Sequence, residues 1–238
     1  MVIDAGLNVP AFFTSRAGGI SSAPYASLNV ALHVGDDARA VAANRKAIED
    51  LAGVPVSFMV PNHGITVAHV SVAGQEPAIA DVLITTTPGV AIASQAADCV
   101  PVLLHDKASG AVAAVHAGRE GLYAGVLDAA VAALLDIRGG WTARGEMSAS
   151  IGPAICGRCY EVPAQLRQRI AERHPIATAS TSWGKPALDI PRAVEARLGQ
   201  LGFSHITRQR ACTFEDPAYF SHRRDGTTGR QTAVIVCP

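Results

Sequence analysis

The chain has 238 residues, 49% of them apolar and 17% charged, with twenty Lys and Arg balancing twenty Asp and Glu. That length is ample for a sizeable core, and the apolar content excludes a disordered chain. Zero net charge excludes the broad electrostatic footprint of a nucleic-acid or anionic-membrane binder, and with seventeen of the twenty bases being Arg, a single Arg is weak evidence of a phosphate site.

Met1 to Phe13 contains Asp4 and no basic residue ahead of its apolar part, unlike a secretory signal. No apolar run reaches the roughly 18–20 residues that span a bilayer, so a soluble, cytoplasmic chain is expected. Val9–Thr14 reads as a strand, followed by a Gly/Ser/Pro-rich loop from Arg16 to Pro24. Asp36 and Asp37 cap a helix that carries Val41, Ile48 and Leu51 on its apolar side and ends at Gly53. Val56–Val60, Thr66–Val72, Ala80–Thr85, Val90–Ser94, Val100–Leu104 and Ala111–His116 are strand-type runs. Several are apolar without alternation, the mark of strands covered on both faces. A long helix is predicted over Gly121–Ile137, where Leu122, Val126, Ala130 and Leu134 recur every four residues until Gly139-Gly140. A strand at Met147–Ile151, a helix at Pro163–Arg173, a strand near Ile176, a helix at Pro191–Leu201 and strands at His205–Arg208 and Thr232–Val236 complete the chain. No repeat or linker interrupts it, so one layered α/β or α+β domain over 1–238 is expected.

Five cysteines are an odd number in a chain too large to need stapling, which points to free thiols or metal ligands. Cys156-Gly-Arg-Cys159 has Cys-x-x-Cys spacing, but no second such pair follows and Tyr160–Pro163 looks extended rather than helical. The pair therefore reads as two loop cysteines.

Three other segments place chemistry-bearing residues at strand ends beside Gly-rich turns: Asn62-His63-Gly64, Asp98-Cys99 and His116-Ala117-Gly118. Two imidazoles and a thiolate are the ligand set of a catalytic zinc with a fourth, open position. The same residues also suit a Cys99 nucleophile with His116 or His63 as its base. Lone histidines are more often surface or satisfied core residues, which is the reading for His33, His69, His105, His174 and His205.

Phe13-Thr-Ser-Arg16-Ala-Gly-Gly-Ile-Ser21, Pro24–Val30 with Asn29, Val34-Gly-Asp-Asp37, Asn44-Arg45, His63-Gly64, Ala97-Asp98-Cys99-Val-Pro101, His116-Ala-Gly118, Ile151–Ile155, Cys212-Thr213, Phe220-Ser-His-Arg223-Arg224-Asp225 and Gly229-Arg230 occur in this order along the chain. Together they resemble the YfiH-like family, also called the multicopper polyphenol oxidase or laccase-domain family. The resemblance implies an α+β four-layer α/β/β/α sandwich with mixed sheets, shared with the deamidase domain of cytotoxic necrotizing factor. It implies a metal, usually taken as zinc with copper as the alternative, on His63, Cys99 and His116. It implies a purine nucleoside enzyme: phosphorolysis of adenosine, inosine, guanosine and methylthioadenosine, or deamination of adenosine. Copper-dependent polyphenol oxidation and a Cys-His hydrolase acting in peptidoglycan precursor editing are the alternatives attached to the same family.

In deamination Asp98 is the nearest carboxylate in sequence for proton transfer, though an Asp there also suits a turn or an orienting role. In phosphorolysis the phosphate needs Arg forks or backbone N–H groups, and Arg16, Asn29, Asn44, Arg45, Arg223 and Arg224 are the expected substrate contacts. Two positions depart from the family pattern. Pro61 stands where Gln is frequent, and Arg119-Glu120 stand where the family has Trp-Arg. A multi-copper reading fits poorly, because coupled coppers need closely spaced histidine pairs and the eight histidines are scattered.

Overall fold

A computed structural model of the chain describes residues 2–76, 79–139 and 147–238. In chain order these form β1 (Val2–Asp4), β2 (Ala11–Thr14), α1 (Ala38–Ala52), β3 (Val56–Phe58), β4 (Val67–His69), β5 (Val82–Thr85), β6 (Ala91–Ala96), β7 (Val100–Asp106) and β8 (Val112–Ala117). There follow α2 (Arg119–Ala124), α3 (Val126–Ile137), β9 (Met147–Ile151), α4 (Ala164–Arg173), β10 (Thr178–Ser180), β11 (Pro186–Leu188), α5 (Ile190–Gln200), β12 (His205–Arg208), α6 (His222–Asp225) and β13 (Gln231–Val236).

The unbroken apolar runs become the central strands of two mixed sheets. One has five strands in the order β1-β2-β13-β6-β3 and the other six in the order β12-β9-β7-β8-β5-β4; β10 and β11 form a separate ribbon. Every residue of β5, β6, β7, β8 and β13 is buried, because each of these strands is covered on both faces. Between the sheets, Phe13, Ile92 and Ile235 of one meet Leu83, Leu103 and Val112 of the other. Burying side chains of this size stabilises by about 1.5–3 kcal/mol each. On the outer face of the five-stranded sheet, Ile48 of α1 packs with Phe58, Ala93 and Val234. On the outer face of the six-stranded sheet, Leu127, Val131 and Leu134 of α3 and Val194 and Leu198 of α5 pack with Val82, Val102 and Val115. The result is the expected helix, sheet, sheet, helix layering.

Helix α1 begins and ends where its capping residues predict. The Asp37 side chain accepts from the N–H groups of Arg39 and Ala40, and Gly53 closes the helix with φ 75°. Leu51, expected on its apolar side, is instead exposed. The predicted single helix over 121–137 is two helices. Gly125 adopts φ 101° and its N–H turns back to the carbonyls of Gly121 and Leu122, so α2 ends there and α3 starts afresh. Arg138 caps α3, and Gly140 of the predicted stop lies outside the described residues. Ile176 sits in a 3-10 turn, Pro175–Ala177, and the strand expected near it begins only at Thr178. No helix among the described residues is long and apolar enough to cross a membrane.

Candidate metal centre and its cavity

Antiparallel pairing of β5, β8 and β7 decides which side chains meet at one end of the six-stranded sheet. Val82 pairs with Val115 and Val100 with Ala117, so His116 faces Asp81 across one seam and Gly118 faces Cys99 across the other. The His116 backbone N–H donates to the Asp81 carbonyl at 2.8 Å, and its ring Nδ1 lies 2.8 Å from Asp81 Oδ1. His63 reaches the same point from the other sheet, on the loop after β3. Its backbone is left-handed, φ 64°, and Asp81 holds it there. The Asp81 carboxylate accepts the N–H groups of Asn62, His63 and Gly64 at 3.3, 2.9 and 2.7 Å. One buried carboxylate thus orients one histidine ring and fixes the loop of the other.

The donor atoms of His63, Cys99 and His116 all lie within 4.8 Å of one another. Cys99 Sγ is 3.8 Å from His63 Nε2. Tetrahedral zinc, with Zn–S of about 2.3 Å and Zn–N of about 2.0–2.1 Å, requires an S···N separation of about 3.6 Å. The two imidazoles meet edge to face with centroids 4.9 Å apart. Gly118 keeps the space clear, since a Cβ there would stand 2.8 Å from His63 Cδ2 and 3.2 Å from Cys99 Sγ. With Nδ1 of His116 engaged by Asp81, Nε2 is left as its ligating atom, the arrangement of a carboxylate–histidine–metal relay. These residues fit a zinc-type ion.

Electrostatics support the same reading. Burial opposes ionisation of Cys99, but the charge and hydrogen bond of His116 and the nearby His63 outweigh it and pull the thiol down to about 6. Burial also disfavours the His116 imidazolium, yet the Cys99 thiolate and the Asp81 carboxylate push that ring up to about 9. Asp81 is itself held low: burial works against its charge, and bonds from His116, Gly64 and Asn62 win. A thiolate is therefore already favoured near neutral pH without any ion.

The trio opens into a cavity of about 490 Å³, within the range of small-molecule sites. Arg119, Arg223 and Arg230, together with His33, His222 and Tyr160, line it. Arg119 Nη1 donates to the Tyr160 hydroxyl at 2.9 Å, and the Arg223 guanidinium stacks on the Tyr160 ring. Asp98 lies on the same wall with a left-handed backbone, φ 87°. Both of its carboxylate oxygens are engaged, one by the Thr213 hydroxyl at 2.7 Å and one by the Arg223 N–H at 2.6 Å.

Of the six expected substrate contacts, Arg223 alone lines this cavity. Asn29 and Asn44 are buried scaffolding beneath the Gly-rich loop. Asn44 accepts from the Ile20 N–H and donates to the carbonyls of Ser27 and Asn29, while Asn29 receives the Arg230 N–H. Arg16 stacks on Phe220 and donates to the Ala26 carbonyl. Arg45 stacks on Phe58 and donates to the Val30 carbonyl. Arg224 donates to the carbonyls of Thr213 and Tyr219.

The family model described as "Multi-copper polyphenol oxidoreductase laccase" matches residues 10–238. The chain belongs to this family, the YfiH-like laccase family. Among its relatives, a purine nucleoside phosphorylase of Streptomyces coelicolor is 47% identical over 94% of this chain and 93% of its own length. A purine nucleoside phosphorylase of Pseudomonas aeruginosa is 37% identical over 97% and 94%. Among solved structures, a Neisseria meningitidis protein superposes with a TM-score of 0.86 at 34% identity, covering 100% of this chain and 99% of the other. YlmD of Geobacillus stearothermophilus superposes with 0.88 at 32%, covering 99% and 94%.

Sequence reasoning missed two parts of this YfiH-like site. Asp81 falls inside the predicted strand run Ala80–Thr85, and its only signal is being a lone carboxylate among apolar neighbours. Arg119, Glu120 and Arg230 were not expected as contacts, although the first two stand at the departure from the family pattern. The described residues of this family member hold two clusters suited to a metal, this trio and a cysteine-rich group around Cys156. Neither has the closely spaced histidine pairs of coupled copper centres.

Proposed function

We propose that this chain is a zinc-dependent purine nucleoside phosphorylase working in the cavity beside His63, Cys99 and His116. The reaction cleaves the bond between the purine nitrogen and C1 of the ribose. Phosphate takes the sugar carbon, and the free base leaves with the bonding electrons and a proton. The observation that carries the reading is the junction of a zinc-type His₂Cys centre with three Arg side chains in one nucleoside-sized cavity. It is joined by relatives at 37–47% identity, aligned over more than nine-tenths of their length, that are named purine nucleoside phosphorylases.

Arg119, Arg223 and Arg230 hold the phosphate anion and keep it against the sugar while positive charge develops on the ribose. Tyr160, braced between Arg119 and Arg223, offers an aromatic face for the base. Asp98 acts as a positioning residue, fixing the backbone of Arg223 rather than moving a proton. His63, Cys99 and His116 would hold a zinc ion, which when bound would supply a Lewis acid able to lower the pKa of a water toward neutrality. That same chemistry would serve adenosine deamination when phosphate is absent, and the products distinguish the two.

A second reading rests on a separate observation. Cys99, His116 and Asp81 are also ordered as thiol, imidazole and carboxylate, the constellation of a cysteine hydrolase. Metal separates the two. The phosphorylase reading predicts that Cys99→Ala and His116→Ala each lose one zinc per chain, measured by mass spectrometry of the purified protein. Phosphate-dependent release of adenine or hypoxanthine is lost with it. Full turnover in zinc-depleted protein, or in Cys99→Ala, would overturn it.

A further inference from the structure

Apart from the trio beside the cavity, a second group of ligand-type side chains converges where two chain segments meet. Cys156 and Cys159 come from the turn between β9 and α4, and Cys212 and Glu215 from the segment between β12 and α6. The two segments are joined by a parallel bridge, Ala154 with Cys212. All four donor atoms lie within 4.8 Å of one another, with Cys159 Sγ 3.3 Å from Glu215 Oε1. The cysteines are free thiols. Cys-Gly-Arg-Cys lacks a second Cys-x-x-Cys pair, as the sequence shows, but Cys212-Thr-Phe-Glu215 supplies a second pair at the same spacing with a carboxylate in its last place.

We propose that Cys156, Cys159, Cys212 and Glu215 form a second, structural metal site for a thiophilic divalent cation of the zinc type. Four side-chain donors leave no open position, which is the mark of a structural rather than a catalytic centre. The sulfurs sit in the surroundings of thiolate ligands: the Cys156 N–H donates to Cys212 Sγ at 3.3 Å, and the amides of Arg158 and Glu215 face the sulfurs of Cys156 and Cys212. Three thiolates and a carboxylate around a dication leave a surplus negative charge. Arg158, within the first turn and 3.1 Å from Glu215 Oε2, offsets part of it.

The site would fasten one wall of the cavity. Ile155 and Tyr160 flank the first pair and line the cavity. Thr213, inside the second pair, holds Asp98. An ion here would tie both segments together across a separation of more than fifty residues, adding to the Ala154–Cys212 bridge, the Arg158–Glu215 pair and a small apolar cluster of Ile155, Cys159 and Cys212.

The test is zinc stoichiometry of the full chain, prepared with a thiol reductant, equilibrated with zinc and freed of excess. Wild type should hold two ions per chain, Cys99→Ala one, Cys212→Ser one, and the double variant none. In the Cys99→Ala background, cobalt in place of zinc should give an intense thiolate-to-metal charge-transfer band, since the other site's sulfur is gone. If Cys212→Ser does not fold, Glu215→Gln serves instead. It should weaken the second ion by about tenfold or more in chelator competition, at least what loss of an outer partner costs. A single zinc in wild type that disappears in Cys99→Ala would overturn the proposal and leave the phosphorylase reading untouched. So would a Cys156–Cys212 disulfide that, once reduced, leaves a chain unable to bind the second ion.

Discussion

At the scale of single residues, the account turns on Asp81. It sits fully buried immediately ahead of β5 and is bonded to both histidine-bearing segments. Outer carboxylates of this kind orient the ligand and raise its basicity, and their loss lowers metal affinity about 10–100-fold. Asp81→Asn places a donating amide against the N–H groups of His63 and Gly64, so it should fall in that range. Competition against a zinc-selective chelator measures it, and unchanged affinity would show that Asp81 does not support the centre. The three candidate ligands were legible in the sequence because each stands beside a glycine or other small residue in or next to a turn near a strand, where side chains from distant positions gather. Asp81 was not, because one carboxylate in an apolar run carries no period or motif. Cys212 and Glu215 stayed hidden for a related reason: only the bridge between Ala154 and Cys212 brings them to Cys156 and Cys159. Asn29 and Asn44 show the converse error, since polar residues in a recognisable motif proved to be the buried framework under a loop.

At the scale of elements, the strands and caps follow the local chemistry closely, and the failures share a cause. The four-residue repeat through Leu122, Val126 and Ala130 continues across Gly125 because α2 and α3 both face the same sheet, so periodicity does not register the break. β1, β10 and β11 are three-residue strands, the first two with exposed or half-buried positions, and all three are too short for alternation to be read. The end of β7 is tied to the end of α3 by Asp106, whose carboxylate is buried and accepts from Arg138 Nε at 3.1 Å, the Ser109 hydroxyl at 2.6 Å and the Ala108 N–H at 3.2 Å. Burial alone would raise the Asp106 pKa, but these bonds hold it below the ordinary 3.8. Asp106→Ala leaves a largely buried Arg138 without this partner and should destabilise by about 3 kcal/mol at neutral pH. Because folding lowers the pKa, the contribution is complete above 3.8 and fades as pH falls through the lower native value. Urea unfolding of both proteins at neutral pH and near pH 3 checks this. A difference that stayed constant between the two would contradict it.

At the scale of the whole molecule, sparse and balanced charge is what a four-layer fold requires. The central strands of the two sheets are buried on both faces and carry almost no charge, so the charged residues fall on helices, loops and strand ends. There the cavity collects Arg119, Arg223 and Arg230 beside the thiolate–imidazole trio. A local concentration of guanidinium groups in a neutral molecule suits a small anion in a cleft and offers no extended track for a polyanion. A layered domain was legible because buried strands lack alternation while helices keep a period near 3.6 residues; the four-layer arrangement came from the family resemblance. The substrate contacts were not, because Arg is abundant throughout the chain and only the tertiary arrangement separates the arginines that line the cavity from those that brace loops.

The most direct measurement is the product balance for inosine and adenosine with the zinc-loaded chain, followed with and without inorganic phosphate. The account predicts free purine base and ribose 1-phosphate in equal amounts, formed only when phosphate is present and lost when the zinc is removed. Base release that is indifferent to phosphate, or inosine formed from adenosine with no cleavage of the glycosidic bond even when phosphate is present, would contradict it.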